Sequence, residues 1–157
     1  MKVISLLVVK VSAIITAGQQ INVLQEAFIK FRAAAKGSNL TLEETRDIFD
    51  GVTMSLGIMG SSVEDTKGAL RALEQMILKG KVQAEEIRGQ LGERLPGAYR
   101  ILAESMGMTT EQLSKQLELG NVYAEEVLPK FSKRLKEVYG ITNQARMDEI
   151  AQKRARM

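Results

Sequence analysis

The sequence predicts an all-α protein of six or seven short-to-medium helices packed as antiparallel helical hairpins. Composition is the first reason: 4 phenylalanines, 3 tyrosines and no tryptophan in 157 residues argue against strands, whereas the helix formers Ala, Leu, Glu, Gln, Lys and Met are abundant. The second reason is the spacing of apolar residues, and the third is the recurrence of glycine shortly before helix-start signals. With 45% hydrophobic and 26% charged residues, the chain is typical of one folded globular domain.

Apolar residues recur at helical intervals along most of the chain. Ile21, Leu24 and Phe28 begin one such stripe, and positions 42–56 and 63–77 carry two more. Each stripe indicates one buried helix face. Because the links between the stripes are short, neighbouring helices are expected to pack antiparallel. The predicted helices are 18–36, 41–57, 62–79, 83–92, 96–106, 109–118 and 122–139.

Glycines mark the expected helix ends. Gly37, Gly60, Gly80 and Gly120 each follow an apolar stripe, and glycine readily adopts the left-handed backbone that closes a helix. Acidic residues then occupy the first turn of the next helix, where the helix dipole favours negative charge. We therefore predict a left-handed residue at each of these four glycines.

Two capping boxes mark the expected helix starts. Thr41-x-x-Glu44 and Thr109-x-x-Gln112 have the spacing at which a hydroxyl and a carboxylate or amide satisfy orphan N–H groups reciprocally. The sequence thus predicts helices that begin directly after Thr41 and Thr109.

The two prolines give different signals. Pro96 suits the first turn of a helix, and Leu95-Pro96-Gly97 indicates a break followed by a new helix. Pro129 lies inside an apolar pattern, so it is expected either to kink that helix or to move the start of the helix to about residue 128.

Three segments are expected along the chain: an apolar N-terminal segment (1–17), a helical domain (18–140) and a basic C-terminal helical tail (141–157). The first segment is compatible with a secretory signal, a membrane anchor or a buried or partner-facing segment. Lys10 at its centre favours the last of these, because neither a signal core nor a membrane span tolerates a central lysine well.

The C-terminal part of the chain is basic. From Lys130 onward there are eight basic and three acidic residues. The stretch TTEQLSKQLELGNVYAEEVL superficially resembles a helix-turn-helix, in which a glycine separates two short helices. The basic residues include no run of five or six like charges and no aromatic stacking platform. We therefore do not expect nucleic acid as a partner.

The chain contains no histidine and no cysteine. This removes the usual general base near neutral pH, the thiol nucleophile and the common zinc ligands. The pairs Glu85–Glu86 and Glu125–Glu126 could serve as acid and base in a glycosidase, but both pairs lie at helix starts, where the dipole explains them. We expect no enzymatic activity, no cofactor and no metal.

A glycine-rich cluster lies at the centre of the chain. The run GQLGERLPG lacks the GK[ST] of a phosphate-binding loop and follows no predicted strand. We therefore assign Gly80, Gly89, Gly92, Pro96 and Gly97 to a structural motif that shapes a tight turn between helices. A positive φ at Gly92 would make this position intolerant of larger residues.

Residues 68–100, GALRALEQMILKGKVQAEEIRGQLGERLPGAYR, resemble the signature of the phage tail tape measure proteins. The similarity continues through ILAESMGMTTEQLSKQLELGNVYAEEVLPKF and extends upstream to FRAAAKGSNLTLEETRDIFDGV. It covers roughly Gln19 to Tyr139, which is most of the chain.

The resemblance implies a structural tail-assembly module, part of a protein that occupies the tail-tube lumen and determines tail length. Expected partners are the tail tube, a tail-assembly chaperone and baseplate or tip proteins, together with a homo-oligomeric contact. The expected location is the virion tail, or the host cytoplasm when the gene is expressed from a prophage. Membrane activity in genome delivery is the alternative function.

Overall fold

The computed structural model describes residues 22–141 and Ala155. Within these residues the structure is helical, with one isolated antiparallel bridge between Lys81 and Tyr123, and the all-α prediction is confirmed. The predicted segment 1–17 and most of the tail 141–157 lie outside the described residues. The helices are α1 (described over 22–35), α2 (Leu42–Ile58), α3 (Val63–Lys79), a π-helical segment (Glu85–Gln90) that runs directly into α4 (Leu91–Arg94), α5 (Ala98–Ser105), α6 (Thr110–Glu118) and α7 (Ala124–Val138).

Both predicted capping boxes are confirmed. The Thr41 hydroxyl accepts a hydrogen bond from the Glu44 amide at 3.0 Å, and the Glu44 carboxylate accepts one from the Thr41 amide at 3.3 Å. Thr109 and Gln112 make the same exchange at 3.1 and 2.9 Å. These reciprocal bonds position the first turns of α2 and α6.

The predicted left-handed backbone is found at three of the four glycines that follow an apolar stripe. Gly60, Gly80 and Gly120 have positive φ, whereas Gly37 does not. At the end of α1 the amide and hydroxyl of Ser38 both donate to the Ala35 carbonyl, at 2.9 and 2.6 Å. The prediction for Gly37 is wrong because Ser38 closes this helix without a left-handed residue.

Helices α2 and α7 run in the same direction. The backbone amide of Asn39, just before α2, donates a hydrogen bond of 3.0 Å to the Glu125 carboxylate at the start of α7. At the other end, the Tyr139 hydroxyl donates to the Met59 sulfur at 3.2 Å. The start of α2 therefore lies beside the start of α7, and the end of α2 lies beside the end of α7. α7 also packs against α5 and α3, so it lies at the centre of the domain.

The helix pair formed by α3 and the segment 85–94 runs antiparallel, as expected for sequential neighbours. Lys79 at the end of α3 forms an ion pair with Glu86, whereas the Arg94 guanidinium lies against Gly68 near the start of α3. The core shared by the helices consists of fully buried side chains that include Phe31, Ile48, Leu56, Leu73, Met76, Leu91, Leu102 and Phe131.

The structure corrects the proline predictions in part. α7 begins at Ala124, so Pro129 lies inside the helix and the alternative start near residue 128 is wrong. The Ala124 amide donates to the Gly80 carbonyl at 3.0 Å, which anchors the helix five residues before the proline. Pro96 lies in the turn before α5 rather than in its first turn, because α5 begins at Ala98.

Candidate functional site

The five residues of the predicted structural motif lie between the end of α3 and the start of α5. Gly80 closes α3 with a φ of 76°, and Gly97 precedes α5 with a φ of 82°. Gly89 lies in the π-helical segment, Gly92 in α4, and Pro96 in the turn between α4 and α5. This stretch, residues 80–97, is called the central turn below.

Gly92 does not have a left-handed backbone, so a positive φ is not the reason for glycine at this position. A Cβ built on Gly92 would lie 2.9 Å from the carbonyl oxygen of Ile87, whereas a Cβ on Gly89 would meet no atom within 4 Å. Position 92 is therefore restricted by the Ile87 carbonyl, which lies one π-helical turn earlier in the same continuous stretch.

The π-helical segment places Glu86 in the interior. Glu86 is 2% exposed, and its Oε1 forms an ion pair with the half-exposed Lys79. Its Oε2 has no hydrogen-bond partner among residues 22–141. A buried carboxylate depends strongly on its partner cation, so this pair connects the π-helical segment to the end of α3.

The two carboxylate pairs noted in the sequence lie in different surroundings. Glu85 is exposed while Glu86 is buried, so the first pair is divided between solvent and core. In the second pair, the Glu125 carboxylate accepts a hydrogen bond from the backbone amide of Asn39. This bond joins α7 to the start of α2. Within the described part of the chain, no group of three or more acidic residues could hold a metal ion.

A groove of about 550 Å³ lies beside the central turn, between the π-helical segment, α5 and α6. Two glycines of the predicted motif, Gly92 and Gly97, contribute to its wall. The other lining residues are Ile87, Arg88, Ala98, Tyr99, Thr110, Glu111 and Ser114.

Arg88 and Tyr99 organise the polar side of this groove. The guanidinium carbon of Arg88 lies 4.2 Å from the centroid of the Tyr99 ring, and Arg88 Nη2 donates to the Tyr99 hydroxyl at 2.8 Å. The Tyr99 hydroxyl in turn donates to the Thr110 carbonyl at 3.1 Å. These contacts link the π-helical segment, α5 and α6. No sequence pattern indicated this pair, because the two residues lie on different helices.

Exposed apolar side chains occur within a few residues of the bridge between Lys81 and Tyr123. Leu78 and Leu119 are 66% and 68% exposed, and Tyr123 is 47% exposed. The Lys81 ammonium lies 5.9 Å from the Tyr123 ring centroid. Exposed apolar residues that form a patch are typical of surfaces that bind other proteins.

The described residues thus define a helical packing module with a groove beside the central turn and with exposed apolar side chains. The family model of tape measure proteins matches residues 12–157. A probable tape measure protein of Salmonella phage Felix O1 (isolate Felix O1-VT1) is 39% identical over 121 residues, or 77% of this chain. The chain belongs to the tape measure protein family, whose members are structural components of phage tails.

The chain spans 16% of the length of the Felix O1 relative. The family match begins at residue 12, inside the predicted segment 1–17, and continues through the tail 141–157. No solved structure matches the chain. None of the helices described here is long and apolar enough to cross a membrane.

Proposed function

We propose that this chain is the tail-assembly module of a tape measure protein and acts through helical protein–protein packing. The match to the family over residues 12–157, combined with a closed helical core, supports this function best. Within such a protein, the module would lie in the lumen of the tail tube, or in the host cytoplasm before assembly. Its partners would be the tail tube, a tail-assembly chaperone and baseplate or tip proteins.

The fold supports a role in assembly rather than in measuring length. A ruler works through its extended length, and α2 and α3, at 17 residues each, are only about 25 Å long at ~1.5 Å per residue. The described helices also fold back on one another around a shared core. We therefore assign length determination to the remainder of the protein and attachment to this module.

The groove beside the central turn and the exposed apolar residues around Tyr123 are the surfaces proposed to bind tail proteins. The residues Gly80, Gly89, Gly92, Pro96 and Gly97 would shape the central turn and thereby hold the groove open, without a chemical role. A homo-oligomeric contact through the apolar residues is part of this proposal.

An in-frame deletion in a tail-producing phage tests the assignment. Removing the region equivalent to residues 22–141 from its tape measure protein should abolish tail formation, because the attachment module is lost. The matched control is a deletion of equal length elsewhere in the same protein, which should shorten the tails in proportion. Proportionally shortened tails from both deletions would contradict the proposal.

Two measurements on the purified chain test the other parts of the proposal. Light scattering across a concentration series, with and without residues 1–17, reports a homo-oligomer and the contribution of the apolar segment to it. Flotation with liposomes tests the alternative of a membrane-active protein, which would move with the vesicles. We expect the chain to stay at the bottom of the gradient.

A further inference from the structure

The shared end of α2 and α7 carries an apolar surface. Ile58 is 50% exposed, Met59 39% and Val138 42%, and the contact between Met59 and Tyr139 joins the two helices at this end. We call the surface formed by Ile58, Met59 and Val138 the C-terminal patch. It differs from the apolar residues around Tyr123, which precede α7 at its opposite end.

The same end of the domain carries the partial negative charges of two helix C-termini. Because α2 and α7 run in the same direction, their C-termini lie together, and each helix C-terminus has a partial negative charge. The last turn of α2 contains no basic residue. Lys136 lies in the last turn of α7, but its ammonium is 3.5 Å from the Asp47 carboxylate. This carboxylate partly neutralises the positive charge of Lys136. A cationic segment would therefore be stabilised beside the patch.

The chain itself supplies such a segment. Ile141 donates its amide to the Lys136 carbonyl, so residues 142–157 follow in the chain directly from the patch. Four basic and two acidic residues occur among them, and Met147, Ile150 and Ala151 are spaced at i, i+3 and i+4. Apolar residues at this spacing share one face if the segment is helical.

We propose that residues 142–157 of this chain bind the C-terminal patch, with Ile150 against Ile58 and the basic residues near the two helix C-termini. Burial of the apolar side chains provides the main stabilisation, and the helix dipoles favour the cationic tail. The direct covalent connection gives the segment a high effective concentration at the patch, which favours it over a second copy of the chain.

Engineered cysteine pairs test this contact, because the natural chain has no cysteine. Ile58→Cys combined with Ile150→Cys should form an intramolecular disulfide under mild oxidation in dilute solution. The control pair is Leu119→Cys with Ile150→Cys, because Leu119 is also exposed but precedes α7, which is about 22 Å long at ~1.5 Å per residue. Equal cross-linking of both pairs would overturn the proposal. Disulfide-linked dimers that increase with protein concentration would overturn it too, and would indicate that a second copy covers the patch.

Thiol labelling provides a second measurement in the full chain. With a single Ile58→Cys substitution, adding Ile150→Asp should accelerate labelling several-fold, because a carboxylate disfavours burial of the tail. Ala155→Asp is the control, since Ala155 is exposed, and should leave the rate unchanged. High salt should accelerate labelling partially by screening the tail from the helix dipoles. Labelling that Ile150→Asp does not change would contradict the proposal.

Discussion

The hydroxyl of Ser132 in α7 donates a hydrogen bond to the backbone carbonyl of Asp47 in α2, at 2.5 Å. This bond crosses the contact between the two parallel helices, 85 residues apart in sequence. A Cβ built on Gly51, one turn after Asp47, would lie 2.6 Å from the same Ser132 oxygen. The absence of a side chain at position 51 therefore allows the serine to reach the α2 backbone.

Gly51→Ala should show an effect that depends on Ser132. In the natural background the new methyl group displaces the hydroxyl, and the loss of one hydrogen bond, about 1 kcal/mol, offsets the gain in helix propensity, also about 1 kcal/mol. In a Ser132→Ala background only the gain remains. Urea unfolding of the four variants should give a coupling energy of about 1 kcal/mol. If Gly51→Ala has the same effect in both backgrounds, the proposed contact is absent.

Lys79→Met should destabilise the protein more than Lys67→Met. The two lysine side chains are 43% and 44% exposed, but Lys79 pairs with a 3% exposed Glu86 side chain, whereas Lys67 pairs with an 85% exposed Glu64 side chain. Loss of Lys79 leaves a buried carboxylate without its cation, whereas exposed pairs contribute about 0–1 kcal/mol. Thermal unfolding of both variants measures the difference, and equal melting temperatures would show that Glu86 does not depend on Lys79.

Gly92→Ala and Gly89→Ala should differ in sign. The Gly92 variant brings a methyl group against the Ile87 carbonyl, which cannot move without shifting the backbone, so we expect a loss of about 1 kcal/mol or more. Position 89 has open space, so its variant should be unchanged or up to about 1 kcal/mol more stable. Chemical denaturation of both variants checks this. If the Gly92 variant is as stable as the natural chain, the proximity of the Ile87 carbonyl does not explain why position 92 is a glycine.

Asp50→Asn should stabilise the protein at neutral pH but not at low pH. Burial raises the pKa of Asp50, and the nearby Asp47 adds to this, against the opposing effects of Lys136 and Arg46. The folded protein therefore binds this proton more tightly than the unfolded chain, and stability is lost as pH rises through the raised pKa.

The asparagine variant removes this loss. Its free energy of unfolding should exceed that of the natural chain above the raised pKa, and the two should converge below the ordinary carboxyl range. Glu74→Gln should behave in the same way, since burial also raises the pKa of Glu74. Glu93→Gln is the exposed control. A constant stability difference at all pH values would contradict the assignment to titration.

The candidate site was predictable only in part. The sequence located the central turn and its glycines, because closely spaced glycines and a proline disfavour a continuous helix. It did not indicate why Gly92 is a glycine, since the restriction comes from Ile87 across a π-helical turn. The pairing of Arg88 with Tyr99 was also missed, because its geometry depends on how α5 packs against the π-helical segment.

The sequence alone determined most of the helices and most of their ends, but not the π-helical segment (Glu85–Gln90) that runs into α4. Capping boxes at Thr41 and Thr109 and left-handed glycines at the helix C-termini act over three to five residues, so their signals are complete within a short stretch. Only the tertiary structure decided that α2 and α7 run parallel, that Glu86 is buried and that Pro129 lies inside a helix. The apolar stripes of the different helices resemble one another, so the sequence does not show which helix packs against which. That choice depends on packing between residues that are far apart in the chain.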